Sequence, residues 1–192
     1  LLPYTTEGRI DWPAFERHAA RTAAAGIDPA VNMDTGFVDL LTEAERAEVL
    51  DATRRALGPV RPFYAGAFPG AAGSGDLDLA IAAYHEAIRA IEQRGGTPVI
   101  VQCPALRPLP PREKAAAYAR IVEPAERALA FELSPVFAPH GEIWDDETYA
   151  RVLALPKLVG AKHSSLDRVT ELRRIAARDA GRPEFRVYTG ND

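Results

Sequence analysis

Two hydrophobic periods alternate along this chain of 192 residues. Short runs dense in apolar residues, at 28–35, 61–68, 97–104, 128–137, 158–165 and 185–192, predict six strands. Longer stretches between and around them place apolar residues three or four apart, and predict helices at 11–26, 41–57, 76–95, 112–129, 145–156 and 165–179. Local signals sharpen the boundaries. Asp11 is positioned to cap the first helix, Pro13 suits its first turn, and Gly26 suits its end. Thr42 followed by Glu45 predicts a reciprocal capping box. Pro124 must kink or break the helix that contains it, because proline lacks an amide hydrogen and its ring clashes with the preceding turn.

Strand then helix, repeated, predicts parallel βαβ units. Two architectures compete, an open doubly wound sheet and a (β/α)8 barrel. No glycine-rich phosphate loop follows an early strand, which weighs against the nucleotide-binding version. Polar residues cluster where strands end: Asn32 and Asp34, Gln102, Glu132 and Ser134, Lys162, then Asn191 and Asp192. Active sites of (β/α)8 barrels gather at that end. The expected architecture is an α/β (β/α)8 TIM barrel, one domain over 1–192, with about strands two to seven present and both termini cut. Strand alternation puts Asn32 with Asp34, Glu132 with Ser134, and Gly160 with Lys162 on common faces. If those faces point inward, Asp34, Glu132 and Lys162 converge as an ion network or an active site, since buried unpaired charge is costly.

Composition adds one chemical clue. The chain holds 20 arginines and three lysines, at positions 114, 157 and 162. Arginine stays protonated, whereas a desolvated lysine amine can lose its proton and act as a nucleophile. Lys162 therefore raises a chemical question, although a lysine at a strand end also simply snorkels to the surface. The net charge of −4 provides no basic footprint for nucleic acid. The single Cys103 excludes an internal disulfide framework and suits a reducing cytoplasm. No apolar run approaches the roughly 18 residues of a membrane span, and no targeting segment is visible at the first residues. His163 alternates away from the barrel interior, His140 sits in a turn near the mouth, and His18 and His85 lie on helices. No His-x-x-x-His or cysteine cluster predicts zinc.

At this point the residues resemble a family. LPYTTEGRIDWPAFERH, MDTGFVDLLTEAER, VGAKHSS and VYTGND, in that order, are similar to segments of the dihydrodipicolinate synthase and N-acetylneuraminate lyase family. The Leu-Thr-x-x-Glu-Arg helix and the lysine strand are the specific elements, and the resemblance runs over nearly the whole chain. It implies a class I aldolase or lyase with no metal or other cofactor, and a homo-oligomer. Its Schiff-base lysine falls on Lys162, whose neutral amine would attack the ketone of pyruvate or another 2-oxo acid to make or break a C–C bond. The family's threonine pair falls on Asp34 and Thr35. Thr35 and the Gly36 N–H would hold the substrate carboxylate, with Asn32, His140 and Asn191 as further substrate contacts. The family's tyrosine on the fifth barrel strand falls on Ser134, its second tyrosine pair on Ala105 and Leu106, its glutamate after the glycine on Phe37, and its acceptor-binding arginine on Pro139. Asp34, Glu132 and Ser134 are the expected substitutes in the proton relay. Two other readings stay open: a metal-assisted barrel aldolase with Glu132 and Asp34 as ligands, and a barrel that binds a 2-oxo acid or sugar acid without turning it over.

Overall fold

A computed structural model describes residues 1–190. Among these residues six strands form one sheet in sequential order, every neighbouring pair parallel. The strands are β1 (Ala30–Val31), β2 (Tyr64–Ala67), β3 (Thr97–Ile100), β4 (Ala128–Leu133), β5 (Leu158–Ser164) and β6 (Arg186–Thr189). Helices precede β1 and connect each strand to the next: α1 (Trp12–Ala24), α2 (Glu43–Leu57), α3 (Leu77–Glu92), α4 (Pro111–Ile121), α5 (Asp146–Leu153) and α6 (Arg168–Gly181).

The sheet curls. β2 and β6 stand four places apart, which in a flat sheet is roughly 19 Å at the usual strand spacing. Yet the rings of Tyr64 on β2 and Tyr188 on β6 are 6.1 Å apart and their hydroxyls 3.5 Å apart. Six parallel strands wrapped this far, with helices outside, are a partial (β/α)8 barrel, as the sequence predicts. Most of the apolar core lies between the strands and the helices. Ile81, Tyr84, Ile88 and Ile91 bury one face of α3, and the Tyr84 hydroxyl donates to the Val101 carbonyl at 2.5 Å.

The predicted local signals are present. Asp11 accepts from the Ala14 amide, and Thr42 and Glu45 form the reciprocal box. α4 stops at Ile121, ahead of Pro124. Gly160 is required by packing, since a Cβ there would lie 2.6 Å from the Arg186 carbonyl oxygen and 3.0 Å from Leu129 Cδ2. β3, β4 and α4 end at Ile100, Leu133 and Ile121, short of their predicted ends, and the first strand differs with most consequence for the site. β1 ends at Val31, Asn32 takes a left-handed φ of 51°, and Asp34–Gly36 form a single 3-10 turn. Asn32 and Asp34 are therefore placed by a turn and not by strand alternation. The cause lies on the neighbouring strand: Gly66 has no side chain, so the Asn32 carbonyl occupies the space a Cβ would need, 1.9 Å from its ideal position.

Candidate active site

Register fixes which side chains enter the barrel. Phe131 of β4 pairs with Lys162 of β5, which pairs with Tyr188 of β6. The three share one row on the inner face. The Lys162 amine lies 4.1 Å from the centre of the Phe131 ring and 3.1 Å from Asp34 Oδ1. Both partners are largely enclosed, with 23% and 12% of the side chain exposed. Asp34 arrives from the other side of the arc, on the turn after β1. The arrangement sets an amine, a carboxylate and an aromatic face side by side with an opening to solvent, the components of a nucleophile and an adjacent proton acceptor.

Glu132 is not part of this group, which corrects the sequence expectation. It pairs in register with His163, so both point outward toward α5 and α6, on the opposite face from Phe131 and Lys162. The expectation started its alternation on the wrong parity; the β4–β5 register settles it. Fully buried, Glu132 accepts from His163 Nδ1 at 3.0 Å, from the Trp144 amide at 3.1 Å and from the Arg174 guanidinium at 3.0 and 3.1 Å. Arg174 also reaches Asp146 at 2.8 Å and the Trp144 carbonyl, and stacks 4.5 Å over the Tyr149 ring. Burial first, then the Glu132 charge, push the Tyr149 phenol well up from its ordinary value. His163 Nε2 lies 2.7 Å from Ser165 Oγ. The order serine, histidine, carboxylate is that of a nucleophilic relay, but Glu132 already shares its charge with Arg174 and Ser165 Oγ accepts the Asp167 N–H at 2.9 Å. The chain of bonds ties the β5–α6 turn to the helix layer. Because Asp34 and Glu132 lie on opposite faces, they do not form a joint metal site. Among the described residues no group of three His, Cys, Asp or Glu could hold a metal ion.

The remaining predicted residues are distributed around the mouth. Ser134 is buried just beyond β4; its amide donates to the Ser164 carbonyl at 2.9 Å and its hydroxyl accepts from the Val136 amide at 3.2 Å, which anchors a turn. Thr35 is exposed and Gly36 half-buried on the Asp34 turn, and the Gly36 N–H, expected at the substrate carboxylate, instead donates to the Met33 carbonyl at 2.9 Å. Asn32 is buried with its amide turned outward to the Arg46 carbonyl at 3.0 Å. His140 is half-buried 5.8 Å from the Phe68 ring, and burial lowers its pKa against the opposing pull of Asp39. Asn191 lies outside the described residues. Sequence reasoning missed Arg174 and Phe131. Arg174 is one of 20 arginines and carries no distinguishing neighbour, whereas Phe131 follows from the strand register once that is known.

No family model matches the chain. A curated relative, 4-hydroxy-tetrahydrodipicolinate synthase of Synechococcus sp. (strain WH7803), is 28% identical over 195 residues, covering all of this chain and 60% of its own length. The chain is similar to this synthase over its whole length. The solved structures agree on the fold. The dihydrodipicolinate synthase of Acinetobacter baumannii, complexed with pyruvate, superposes with a TM-score of 0.75 at 22% identity, over 99% of this chain and 61% of its own. The 2-keto-3-deoxygluconate aldolase of Sulfolobus sulfataricus gives a TM-score of 0.73 at 19% identity, over 100% of this chain and 59% of its own. The chain thus spans about three fifths of the length of this relative and of these two neighbours.

Proposed function

We propose that this chain carries the reactive centre of a class I aldolase or lyase, in which Lys162 forms a Schiff base with pyruvate or another 2-oxo acid. The observation that carries the reading is the Lys162 amine, inside the barrel, 3.1 Å from Asp34 and against Phe131. The relatives and neighbours support it by name, as synthases and aldolases, one of them complexed with pyruvate. Asp34 accepts the ammonium proton. The neutral amine then adds to the ketone carbon, and loss of water from the carbinolamine leaves an iminium. That cation draws electrons from the adjacent carbon, so a C–C bond one position further can form or break. Asp34 is placed to return its proton to the departing hydroxyl. Thr35 would take the substrate carboxylate. Neither metal nor organic cofactor has a part in this route, and a chelator should leave it intact. A cytoplasmic homo-oligomer is the expected setting.

The test uses the full-length protein, pyruvate and borohydride. Reduction should leave a mass adduct on the peptide that contains Lys162. Lys162→Arg should abolish it, and Asp34→Asn should slow its formation at least tenfold with Lys162 still the labelled residue. Ligand binding without any adduct would overturn the reading in favour of a binding-only barrel.

A further inference from the structure

The loops that follow β3 and β4 are bonded to each other by side chains. Gln102 exchanges two hydrogen bonds with the backbone of Glu142, at 3.0 and 2.8 Å. The buried Lys114 amine donates to the Glu142 carboxylate and, at 3.3 Å, to the Arg107 carbonyl. The Arg107 guanidinium crosses to the second loop and donates from Nη1 to the Pro139 carbonyl at 3.0 Å. Between the loops lies an open groove of about 590 Å³, lined by Pro104, Arg107, Pro108, Pro139 and His140. Proline fixes φ, so these walls lose little freedom when a ligand binds.

Charge selects the ligand. Arg107 is exposed, its guanidinium is tied only through Nη1, and among the described residues no carboxylate pairs with it. The rest of its fork is left for a carboxylate or a phosphate, whose oxygens match that geometry. Glu142 does not compete, because Lys114 holds its carboxylate. Burial lowers the His140 pKa against the pull of Asp39, so a neutral imidazole stands beside the guanidinium. The groove stands above the reactive row. The His140 ring lies 5.8 Å from that of Phe68, the residue directly after β2, so the loop after β4 reaches across the end of β3. Val99 of β3 pairs with Leu129, which sets Val101, two residues on, level with Phe131 and so with Lys162. Pro104 is three residues beyond Val101, roughly 10 Å toward the mouth, and β3 is two strands from β5, roughly 10 Å sideways. The Lys162 amine itself rises toward the mouth, where it meets Asp34 on the turn after β1. The two long side chains and a substrate of a few carbons span the gap together.

We infer that Arg107 binds the far end of the substrate, so that the aldehyde joined to the 2-oxo acid, or released from it, carries a carboxylate or phosphate group. This rests on the Schiff-base reading of Lys162. In the joining direction the iminium loses a proton from the neighbouring carbon to give an enamine. That carbon attacks the aldehyde carbon, the aldehyde oxygen takes up a proton, and water hydrolyses the iminium to release the product and the lysine. Arg107 holds the anionic end while this bond forms.

The experiment first traps pyruvate on the full-length protein with borohydride. No adduct overturns the Schiff-base reading and the inference with it; an adduct followed by failure below overturns the inference alone. Pyruvate is then joined in turn to succinic semialdehyde, glyceraldehyde 3-phosphate, butyraldehyde and glyceraldehyde. At least one of the two anionic aldehydes should be preferred by about tenfold or more in kcat/KM over both neutral ones. Arg107→Gln should raise KM for that aldehyde about tenfold and that for butyraldehyde less than about twofold. Arg107→Lys keeps the charge without the fork and should fall between. A structural role alone would move all four aldehydes together. Equal KM shifts for anionic and neutral aldehydes overturn the inference, as does preference for a neutral one. Inhibition by succinate that Arg107→Gln removes, with no preference among the aldehydes, overturns it too and makes the groove a site for a separate anion.

Discussion

Glu132 and Lys162 show how one position of strand parity separates chemistry from support. Lys162 faces the barrel interior and meets Asp34, while Glu132 faces the helices and meets Arg174 and His163. Both ion pairs involve polar groups removed from water, but only the first opens to solvent. Removing one partner of a buried pair strands the other charge, at a cost of about 3–5 kcal/mol. Glu132→Gln should therefore lower stability strongly in urea titrations, whereas Asp34→Asn should lower it little and act on imine formation. Equal destabilisation by the two variants would show that Asp34 is also structural. The lysine was legible in the sequence because it is rare there and ends an apolar run. The role of Glu132 was not, because β4 is buried on both faces, so its apolar residues show no alternation from which to read parity.

Elements were the most legible level, for reasons that are local. The helix starts carry their own signals: Asp11, Thr42, Asp76, Asp145 and Asp167 each accept a backbone N–H of the turn that follows. Thr42→Ala removes the hydroxyl of the box at α2 and should cost about 1 kcal/mol, read as a drop in the urea midpoint with unchanged slope. No change would mean that the Glu45 carboxylate alone holds the Thr42 amide. What the pattern missed at this scale was the early end of β1. A period-two reading carries the strand on to Thr35, while the structure turns at Asn32. That turn depends on the empty side chain of Gly66, a residue 34 positions away and invisible to any local window.

At the scale of the whole molecule, alternation of elements was enough to predict a parallel sheet, but closure required contacts between distant strands. Two of these are on the inner face, Asp34 to Lys162 and Tyr64 to Tyr188. The hydrogen bond between the phenols, then burial, raise the Tyr64 pKa. The net charge of −4 marks an acidic protein. The tyrosine contact has a practical use. Two phenols this close, on strands four places apart, are positioned for oxidative coupling: one-electron oxidation of each ring would join them through carbon as a dityrosine. The product fluoresces and is covalent, so it would record the curl of the sheet as a single cross-linked peptide spanning β2 and β6. Photo-oxidation of the folded protein should yield that peptide, and a fold in which the sheet lies flat should not.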